Sequence, residues 1–385
     1  MRVPFLDLKA AHHELRAELE AAFQRVLDSG WFVMGPELEA LETEFADYCG
    51  VDYCVGVGNG LEALHLLLRA YGIGPGDEVI APTLTFTATV EVVRYLGADP
   101  VLVDVDPVTL NIDPEKIRAA ITPRTKAIMP VHYGGLACDM GAILSIARDH
   151  GLKVVEDAAH ALPTTWQGTL VGQLASDVTV FSFYANKTIT TGEGGMAVTR
   201  HPELAERMRV MRLHGMSRDA FDRFTSKTPA WYYEVVAPGF KYNLTDTAAA
   251  LGLVQLQRLP QFLHHRQHLA ARYHAQLARL PLVLPATAPA GDVHAWHLYV
   301  VRLAPGARLG RDELIQALSD RGIGTSVHYV PLHRHPYWRD RYGLTPEQFP
   351  QADAAYLSML SLPLFTAMQD ADQDRVIDAL QEVLG

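Results

Sequence analysis

The chain has 385 residues, 49% of them hydrophobic and 20% charged, which is typical of a globular protein and long enough for two domains. Its formal net charge of −11, with Lys and Arg scattered along the chain, disfavours a nucleic-acid-binding role. No apolar run reaches the roughly 18 residues that a membrane span requires, and three cysteines without paired spacing predict neither a disulfide framework nor a zinc knuckle, so the cytoplasm is the expected compartment.

Helices and strands alternate through the first half of the chain. An amphipathic helix is expected over Leu15–Ser29, and Pro36 opens a second one. The expected strands are Tyr53–Val57, Glu78–Ala81, Asp99–Val103, Ala127–Val131 and Lys153–Glu156, and helical stretches at 61–70, 87–96, 113–121 and 140–150 separate them. This alternation predicts an α/β fold with a mainly parallel sheet covered by helices on both faces.

The pattern changes after Gly195. Residues 202–213 read as a helix, 215–241 as an irregular stretch that includes Trp231 and Tyr232, and 245–277 as either one long helix or two that are separated at Pro260. A smaller α+β unit follows, with strands Leu298–Leu303 and Gly324–Tyr329, a helix Asp312–Asp320 and a closing helix to Leu384. The sequence therefore predicts a large domain over residues 1–260 and a small C-terminal domain over residues 261–385.

One lysine follows directly after a buried strand. The run Val178–Phe183 interleaves apolar and hydroxyl residues, and Lys187 comes next in a loop rich in Thr and Gly. A desolvated lysine at such a place suits Schiff-base chemistry, because the neutral amine is the nucleophile. On this evidence alone, an ordinary surface lysine in a turn is the alternative.

A strand, a glycine turn and a helix start follow one another over Gly56–Leu64. Free backbone N–H groups at the positive end of that helix would form an anion cradle. The dinucleotide fingerprint needs a third glycine at position 61, where Leu61 stands, so a nicotinamide cofactor does not fit in detail. An ordinary strand-to-helix turn is the alternative.

Asp157 comes at the end of another apolar strand, at the carboxyl edge of the sheet where ligands bind. A buried carboxylate needs a cationic or hydrogen-bonding partner, such as the protonated ring nitrogen of pyridoxal phosphate. A unit charge pair about 4 Å apart attracts by roughly 4 kcal/mol at an effective dielectric of 20, before desolvation. A helix N-cap is the alternative. Because Asp157 and Lys187 follow successive strands, both are expected to face one crevice.

Three histidines, His264, His265 and His268, lie close together on the long helical stretch. No carboxylate or cysteine completes a ligand set with them, so no metal site is predicted.

These residues belong to a series of motifs that resembles, over nearly the whole chain, the DegT/DnrJ/StrS family of pyridoxal-phosphate-dependent sugar aminotransferases. The matching segments are Gly30-Trp-Phe-Val-Met-Gly-Pro36, Gly74-Pro-Gly-Asp-Glu-Val79, Thr85-Phe86-Thr-Ala-Thr89, Ile121-Thr-Pro-Arg-Thr-Lys126, Pro130-Val-His-Tyr-Gly134, Glu156-Asp-Ala-Ala-His160, Phe181-Ser-Phe183 with Lys187, Gly192-Glu-Gly-Gly195 and Lys241-Tyr-Asn-Leu-Thr-Asp246. The resemblance implies the aspartate-aminotransferase-like (type I) fold.

The resemblance also implies roles for residues around the cofactor ring. Lys187 would form the Schiff base with pyridoxal phosphate and move protons during amino transfer, with pyridoxamine phosphate as the amine-carrying form. Asp157 would pair with the ring nitrogen. Phe86 would stack on one face of the ring, and His160 would lie on or beside the other.

Further residues are expected around the phosphate and the sugar. Ser182 and the backbone of Gly60 and Leu61 would hold the phosphate, together with Asn243 of the partner subunit, which implies a homodimer with shared sites. The expected contacts to the sugar nucleotide are Glu193, His328 and Tyr329. For His328 and Tyr329, packing between the two domains is the alternative.

The expected reaction moves an amino group from an amino acid, glutamate in most relatives, to a keto carbon of a nucleotide-linked sugar. Lys187 favours transamination over the dehydration catalysed by relatives that have histidine there. His294–His297 and Ile323-Gly-Thr resemble members that aminate C4 of a 4-keto-6-deoxyhexose, whereas the Gly58-Asn-Gly60-Leu turn and Pro4-Phe-Leu-Asp-Leu8 resemble members that aminate C3 of a 3-keto sugar.

The chain departs from the family pattern at two positions. Leu61 stands where Thr or Ser is frequent, and Asn186 stands where Thr or Gly is frequent. The first departure leaves only backbone donors to the phosphate at that position. A catalytically idle cofactor-binding or regulatory relative on the same fold is the alternative from a different functional class.

Overall fold

A computed structural model describes residues 2–217 and 233–385 of the chain. Trp231 and Tyr232, within the stretch expected to be irregular, lie outside these ranges.

A seven-stranded sheet forms the centre of the large part of the fold, in the strand order β1-β9-β8-β5-β4-β2-β3. Pairing is parallel throughout except where β9 lies antiparallel between β1 and β8. The strands are β1 (Tyr53–Val57), β2 (Glu78–Pro82), β3 (Asp99–Val103), β4 (Thr125–Ile128), β5 (Lys153–Asp157), β8 (Val178–Ser182) and β9 (Gly195–Thr199), and a small hairpin of β6 (Thr165–Trp166) and β7 (Thr169–Leu170) precedes β8. The expected α/β fold with a mainly parallel sheet is confirmed.

Helices pack on both faces of this sheet. Gly30 and Gly50 end two of them in the left-handed conformation, with φ of +66° and +65°, which glycine adopts without steric cost. The helices are α1 (Leu8–Glu14), α2 (Arg16–Ser29), α3 (Pro36–Cys49), α4 (Gly60–Ala70), α5 (Ala88–Tyr95), α6 (Pro114–Ala120), α7 (Met140–His150) and α8 (Pro202–Met211).

Aromatic packing fixes the strand that leads to the lysine. Phe45 of α3 is fully buried and lies edge-on to Phe181 and Phe183, with ring centroids 5.2 and 5.6 Å apart. Such pairs contribute about 0.5–1.5 kcal/mol each beyond the burial of their area. The end of β8 is therefore held rigidly where the lysine loop begins.

The C-terminal part has a three-stranded antiparallel sheet, in the order β10-β11-β12, packed with helices. Its elements are β10 (Leu282–Val283), β11 (Tyr299–Leu303), α10 (Arg311–Asp320), α11 (Pro336–Tyr342), α12 (Pro350–Ser358), β12 (Met359–Leu362) and α13 (Asp370–Leu384). The prediction of a strand over Gly324–Tyr329 is wrong, because these residues form only an isolated bridge, Ser326 to Ser361. The His328 side chain contacts Ser361 of the small sheet, and the Tyr329 hydroxyl contacts His160 of the large part.

One 32-residue helix, α9 (Asp246–Leu277), joins the two parts and runs without interruption through Pro260. Of the two expected alternatives, the single long helix is therefore confirmed. At its start, Asp246 accepts hydrogen bonds from the backbone N–H groups of Gly35 (2.9 Å) and Glu37 (3.1 Å) and so caps α3. Further along, the buried Arg266 donates to the carbonyl of Trp296 (2.9 Å). The division into domains at residue 260 stays a prediction.

Two features bear on ligand and membrane roles. In the parts of the chain that the structure describes, every helix is too short or too polar to cross a bilayer. In those same parts, no group of three or more His, Cys, Asp and Glu side chains is arranged to hold a metal ion, and His268 instead contacts Asp370 (3.0 Å).

Candidate active site

The candidate site lies at the carboxyl ends of β5 and β8, which are neighbours in the sheet. Asp157 is the last residue of β5 and is paired in register with Val180, and Ser182 is the last residue of β8. Lys187 follows Ser182 by one short segment. The crevice predicted from the strand order is therefore formed, at the sheet edge where α/β proteins bind ligands.

The carboxylate of Asp157 is 7% exposed and is oriented by two donors. The Thr89 hydroxyl donates to Oδ2 (2.9 Å), and the Ala159 N–H donates to Oδ1 (3.1 Å). Thr89 is in turn hydrogen-bonded to the Thr85 hydroxyl (2.8 Å). No helix begins after Asp157, so the N-cap alternative does not apply. Within residues 2–217 and 233–385 the carboxylate has no ion-pair partner, which leaves a buried anion suited to a cationic ligand group.

Lys187 lies in the loop that joins β8 to β9. Its backbone N–H donates to the Tyr184 carbonyl (2.9 Å). Burial lowers the pKa of the Lys187 amine to about 8, and the Asp157 carboxylate nearby opposes part of that change. The lysine is thus a partly buried amine beside the site carboxylate, and not a solvated surface residue.

A glutamine on α9 fixes the lysine loop from behind. The Gln255 side chain is buried and bonds Thr190 twice, accepting from its N–H (3.0 Å) and donating to its carbonyl (2.6 Å). Both backbone groups would otherwise be buried without partners, so the loop has one strongly preferred position.

The predicted anion cradle is present at the start of α4. Asn59 caps the helix by accepting from the Glu62 N–H (2.8 Å), which leaves the first N–H groups of the helix, on Gly60 and Leu61, without intrahelical acceptors. A Cβ on Gly60 would lie 3.1 Å from the Ser182 Cβ, so the cradle and Ser182 are in direct contact. Helix N–H groups and a hydroxyl at one point are the donors that a phosphate site requires.

A buried histidine and a half-buried tyrosine form one wall of the site. The Gly134 N–H donates to His160 Nδ1 (3.3 Å), so the proton of the neutral ring is on Nε2, which donates to the Tyr329 hydroxyl oxygen (3.0 Å). Burial, reinforced by Lys187, holds the pKa of His160 well below its usual value. Burial and the Asp157 charge raise the pKa of Tyr329. The tyrosine hydroxyl therefore keeps its own proton for another acceptor.

Two more histidines surround this wall. The His297 ring lies 4.3 Å from that of His160, centroid to centroid, and its buried Nδ1 has no partner in the described parts of the chain. His328 Nδ1 bonds the Ser361 hydroxyl (2.8 Å). Burial, with the nearby Lys187, lowers the pKa of His328 to about 4. These rings are neutral at ordinary pH, so Asp157 is the charged neighbour that acts on the lysine, and the histidines are polar but uncharged.

The remaining predicted residues lie around this centre at different distances. Phe86 is exposed and its ring centroid is 5.8 Å from that of Tyr329, so it borders the open side of the crevice. Glu193 is exposed on the lysine loop. The Asn243 side chain accepts from Lys241 Nζ (2.6 Å) beside β1, and in a single chain it forms no hydrogen bond with Ser182 in the described ranges.

Sequence reasoning missed three residues that position the site: Thr89, Gln255 and His297. For Thr89 a signal existed, since Thr85 and Thr89 are four residues apart and so lie close together at the start of α5. For Gln255 the local sequence gave none, because its partner Thr190 is distant along the chain.

The site's own chemistry fits pyridoxal phosphate. A buried carboxylate without a cation suits the protonated ring nitrogen, a backbone cradle with a hydroxyl suits the phosphate, and an amine with a pKa of about 8 suits the aldehyde.

Comparisons with known proteins agree with this chemistry. The model of the DegT/DnrJ/EryC1/StrS aminotransferase family matches residues 13–381. The chain is 48% identical over 361 residues to the spore coat polysaccharide biosynthesis protein SpsC of Bacillus subtilis (strain 168), covering 93% of this chain and 92% of that protein. It superposes on S. venezuelae DesV, solved in complex with a ketimine intermediate, with a TM-score of 0.90 at 43% identity, covering 99% of this chain and 98% of that one.

A further solved relative carries a cofactor in its crystal structure. The Bacillus subtilis protein NtdA, solved with bound cofactor PMP, matches with a TM-score of 0.87 at 32% identity, covering 99% of this chain and 85% of that chain. The chain belongs to the DegT/DnrJ/EryC1/StrS aminotransferase family and is a pyridoxal-phosphate-dependent sugar aminotransferase.

Proposed function

We propose that this enzyme transfers the amino group of an amino acid, L-glutamate foremost, to C4 of a nucleotide-linked 4-keto-6-deoxyhexose in amino-sugar biosynthesis. The observation that carries the aminotransferase chemistry is a lysine with a pKa of about 8 near a buried carboxylate that forms no ion pair within the described residues. The choice of C4 rests on the sequence motifs around His294–His297 and Ile323. The three cysteines are free and buried, which is consistent with a reaction in the cytoplasm.

We assign the cofactor contacts as follows. Asp157 holds the ring nitrogen in its protonated form, since Thr89 and Ala159 fix both carboxylate oxygens in place. Phe86 and His160 border the two faces of the ring. When bound, pyridoxal phosphate supplies an electron-withdrawing ring whose carbonyl carbon carries the amino group between donor and acceptor.

The phosphate contacts explain why the loss of a hydroxyl at Leu61 is tolerated. The N–H groups of Gly60 and Leu61 point from the positive end of α4, and the Ser182 hydroxyl adjoins them. At position 61, where a threonine or serine is frequent in the family, the backbone N–H is then the donor that remains. The net charge of −11 repels a phosphate at long range, so these local donors have to bind the phosphate.

Lys187 carries the proton transfers. Its Nζ is neutral often enough near neutral pH to accept a proton from carbon, and basic enough to return it to the next carbon. The neutral rings of His160 and His328 add no positive charge that would lower the pKa further by repulsion at the working pH. The side chain can therefore cycle between both protonation states.

The Tyr329 hydroxyl faces the substrate as a hydrogen-bond donor. Because His160 Nε2 donates to its oxygen, the tyrosine proton is directed away from the histidine. Tyr329 and His328 thus offer donors to the sugar, and Glu193 offers a carboxylate from the lysine loop.

A homodimer would complete the phosphate site. Asn243 forms no bond to Ser182 within its own chain, which is consistent with a role in the neighbouring site. Phe23 and Leu27 of α2, with Phe32 and Val33 after it, are exposed apolar side chains of the kind that a second subunit covers. In that assembly the phosphate in one site is also bound by Asn243 of the partner subunit.

A second candidate reaction is amination of C3 of a 3-keto sugar nucleotide. The Gly58–Leu61 turn favours it, because this turn resembles that of 3-keto-sugar aminotransferases. The residue roles are the same for this reaction, and only the sugar carbon that lies next to Lys187 Nζ differs.

The test is a direct product analysis. Enzyme loaded with pyridoxamine phosphate is mixed with 4-keto and 3-keto sugar nucleotides bearing UDP, dTDP or GDP, and the product is analysed by NMR. Nitrogen at C4 is expected, and nitrogen at C3 identifies the second candidate. The control is Lys187→Ala, which should lose both the visible absorption band of the bound cofactor and turnover. No amination of any keto sugar would refute the proposal.

A further inference from the structure

An open cleft of about 750 Å³ extends outward from the candidate site between α5 and α11. Phe86 and Tyr329 line its inner end, where they also border the site, so the cleft is continuous with the reacting centre. We name it the aromatic cleft; its walls are formed chiefly by Phe86, Tyr95, Tyr329, Tyr337 and Trp338. A substrate whose sugar lies near Lys187 and Tyr329 would extend along it.

Three rings of this cleft are exposed to an unusual degree: Phe86 by 58%, Tyr95 by 57% and Tyr337 by 57%. Single exposed aromatic residues are ordinary, but three around one concave surface indicate a binding site. The solvent-exposed faces of these rings are available for stacking against a ligand.

The outer rings are held in place before any ligand binds. Tyr337 lies edge-on to Trp338, with centroids 4.8 Å apart, and the buried Trp338 donates its Nε1–H to the Thr87 hydroxyl (3.3 Å). Tyr95 lies edge-on to His65 at 5.7 Å. Preformed rings lose little conformational freedom on binding a flat ligand.

The polar groups of the cleft favour a nucleobase over a phosphate. Glu91 contributes a carboxylate, which repels phosphate oxygens but accepts from the N–H groups of a base. Arg94 is already paired with Asp99 (2.7 Å), and its buried Nε–H has no acceptor in the described parts of the chain. The carbonyl oxygen of a base could accept a hydrogen bond from the Arg94 Nε–H. Unlike a phosphate, it carries no negative charge, so Glu91 would not repel it.

From these observations we infer that the aromatic cleft binds the nucleobase of the sugar nucleotide, stacked on Tyr337 or Tyr95. The inference rests on the proposed function, since it assigns a subsite for that substrate. Base stacking on an aromatic ring is sequence-tolerant, because every base has a π face. Glu91 and Arg94 then select among bases by hydrogen bonding to the edge of the base.

The experiment separates the two halves of the reaction. Tyr337→Ala and Tyr95→Ala are compared with wild type, and Tyr337→Phe is the matched control that keeps the ring. Loss of one stacking ring should raise KM for the sugar nucleotide roughly 5- to 150-fold. The half-reaction with the amino acid should stay unchanged, because that donor is too small to reach the cleft from the lysine.

A truncated substrate locates the effect on the base. With the corresponding keto sugar 1-phosphate, Tyr337→Ala and wild type should give the same KM. An equal rise in KM for both substrates would show that the ring contacts the sugar, and would overturn the inference. So would an unchanged KM for the full sugar nucleotide in both alanine variants.

A binding measurement is independent of turnover. Calorimetric titration of the cofactor-loaded wild type with UDP, dTDP and GDP should detect binding of at least one, weakened by Tyr337→Ala and retained by Tyr337→Phe. If none binds the wild type, the inference fails. A wild type that binds a nucleoside diphosphate but aminates no keto sugar would instead refute the proposed function alone.

Discussion

The protonation of Lys187 gives the sharpest quantitative test of the site. The perturbation is pH, applied to the cofactor-free enzyme while it takes up pyridoxal phosphate. Only the neutral amine attacks the cofactor aldehyde, so the uptake rate follows the neutral fraction of Lys187. Burial disfavours the charged amine and lowers its pKa to about 8 from a value of 10.5 for an unperturbed lysine.

This difference has a large effect at neutral pH. With a pKa of about 8, about 9% of the Lys187 amine is neutral at pH 7, against about 0.03% at a pKa of 10.5. The buried amine should therefore react roughly 300-fold faster at pH 7 than an exposed lysine of equal intrinsic reactivity. The rate should rise about tenfold per pH unit below 7 and level off above about 8.

The assay is stopped-flow absorbance of cofactor uptake between pH 6 and 10. The rate of each run is divided by the rate of a free lysine derivative per neutral amine under the same conditions, which cancels the titration of the cofactor itself and leaves that of Lys187. Asp157→Asn tests the sign of the electrostatic contribution. The Asp157 charge raises the pKa of Lys187, so its removal should move the midpoint to lower pH.

A midpoint near 10 would refute the reasoning, because it would mean that the amine is solvated. A midpoint that moves to higher pH in Asp157→Asn would contradict the assigned proximity of the two groups. Slow uptake with an unchanged midpoint in that variant would point only to weaker ring binding.

Three substitutions test the supporting structure. Ser182→Ala should weaken pyridoxal phosphate binding roughly 10- to 100-fold, as for loss of a hydrogen bond to a charged group, measured by absorbance titration; an unchanged affinity would remove Ser182 from the phosphate site. Gly195→Ala places a Cβ 2.4 Å from the Asn59 carbonyl group, so it should shift the start of α4 and lower both cofactor affinity and the thermal midpoint of unfolding. Gln255→Leu leaves the buried N–H and carbonyl of Thr190 unpaired, which should lower the free energy of unfolding by about 2–6 kcal/mol in denaturant titrations; equal stability would mean that water replaces the glutamine.

The sequence predicted the central chemistry because that chemistry follows strand ends. Asp157 and Lys187 are each placed by an apolar run that finishes just before them, and parallel strands finish at one edge of a sheet. The glycine turn before α4 was visible for the same reason, since its backbone conformation depends on local residues. These features need no knowledge of distant contacts.

The parts that failed depend on contacts far apart in the chain. Gly324–Tyr329 has the alternation of a strand, yet hydrogen bonds between His160 and Tyr329 and between Ser361 and His328 place these side chains at the site. β12 supplies the sheet position instead. Likewise the support of Thr190 by Gln255 crosses 65 residues, and nothing in either local segment indicates it. Tertiary context overrides local preference in such cases.

The continuity of α9 determines where this chain tolerates insertion or exchange. Each residue added to or removed from a helix turns everything beyond it by about 100° and moves it by about 1.5 Å. Three residues of this one helix contact different parts of the fold: Asp246 the start of α3, Gln255 the lysine loop, and Arg266 the segment before β11. A single deletion between any two of them would thus put at least one of the three contacts out of alignment with the others. Chimaeras that exchange the C-terminal part to alter sugar specificity should join after Leu277 and not at residue 260. The length of α9 and the relative orientation of its side chains are then preserved.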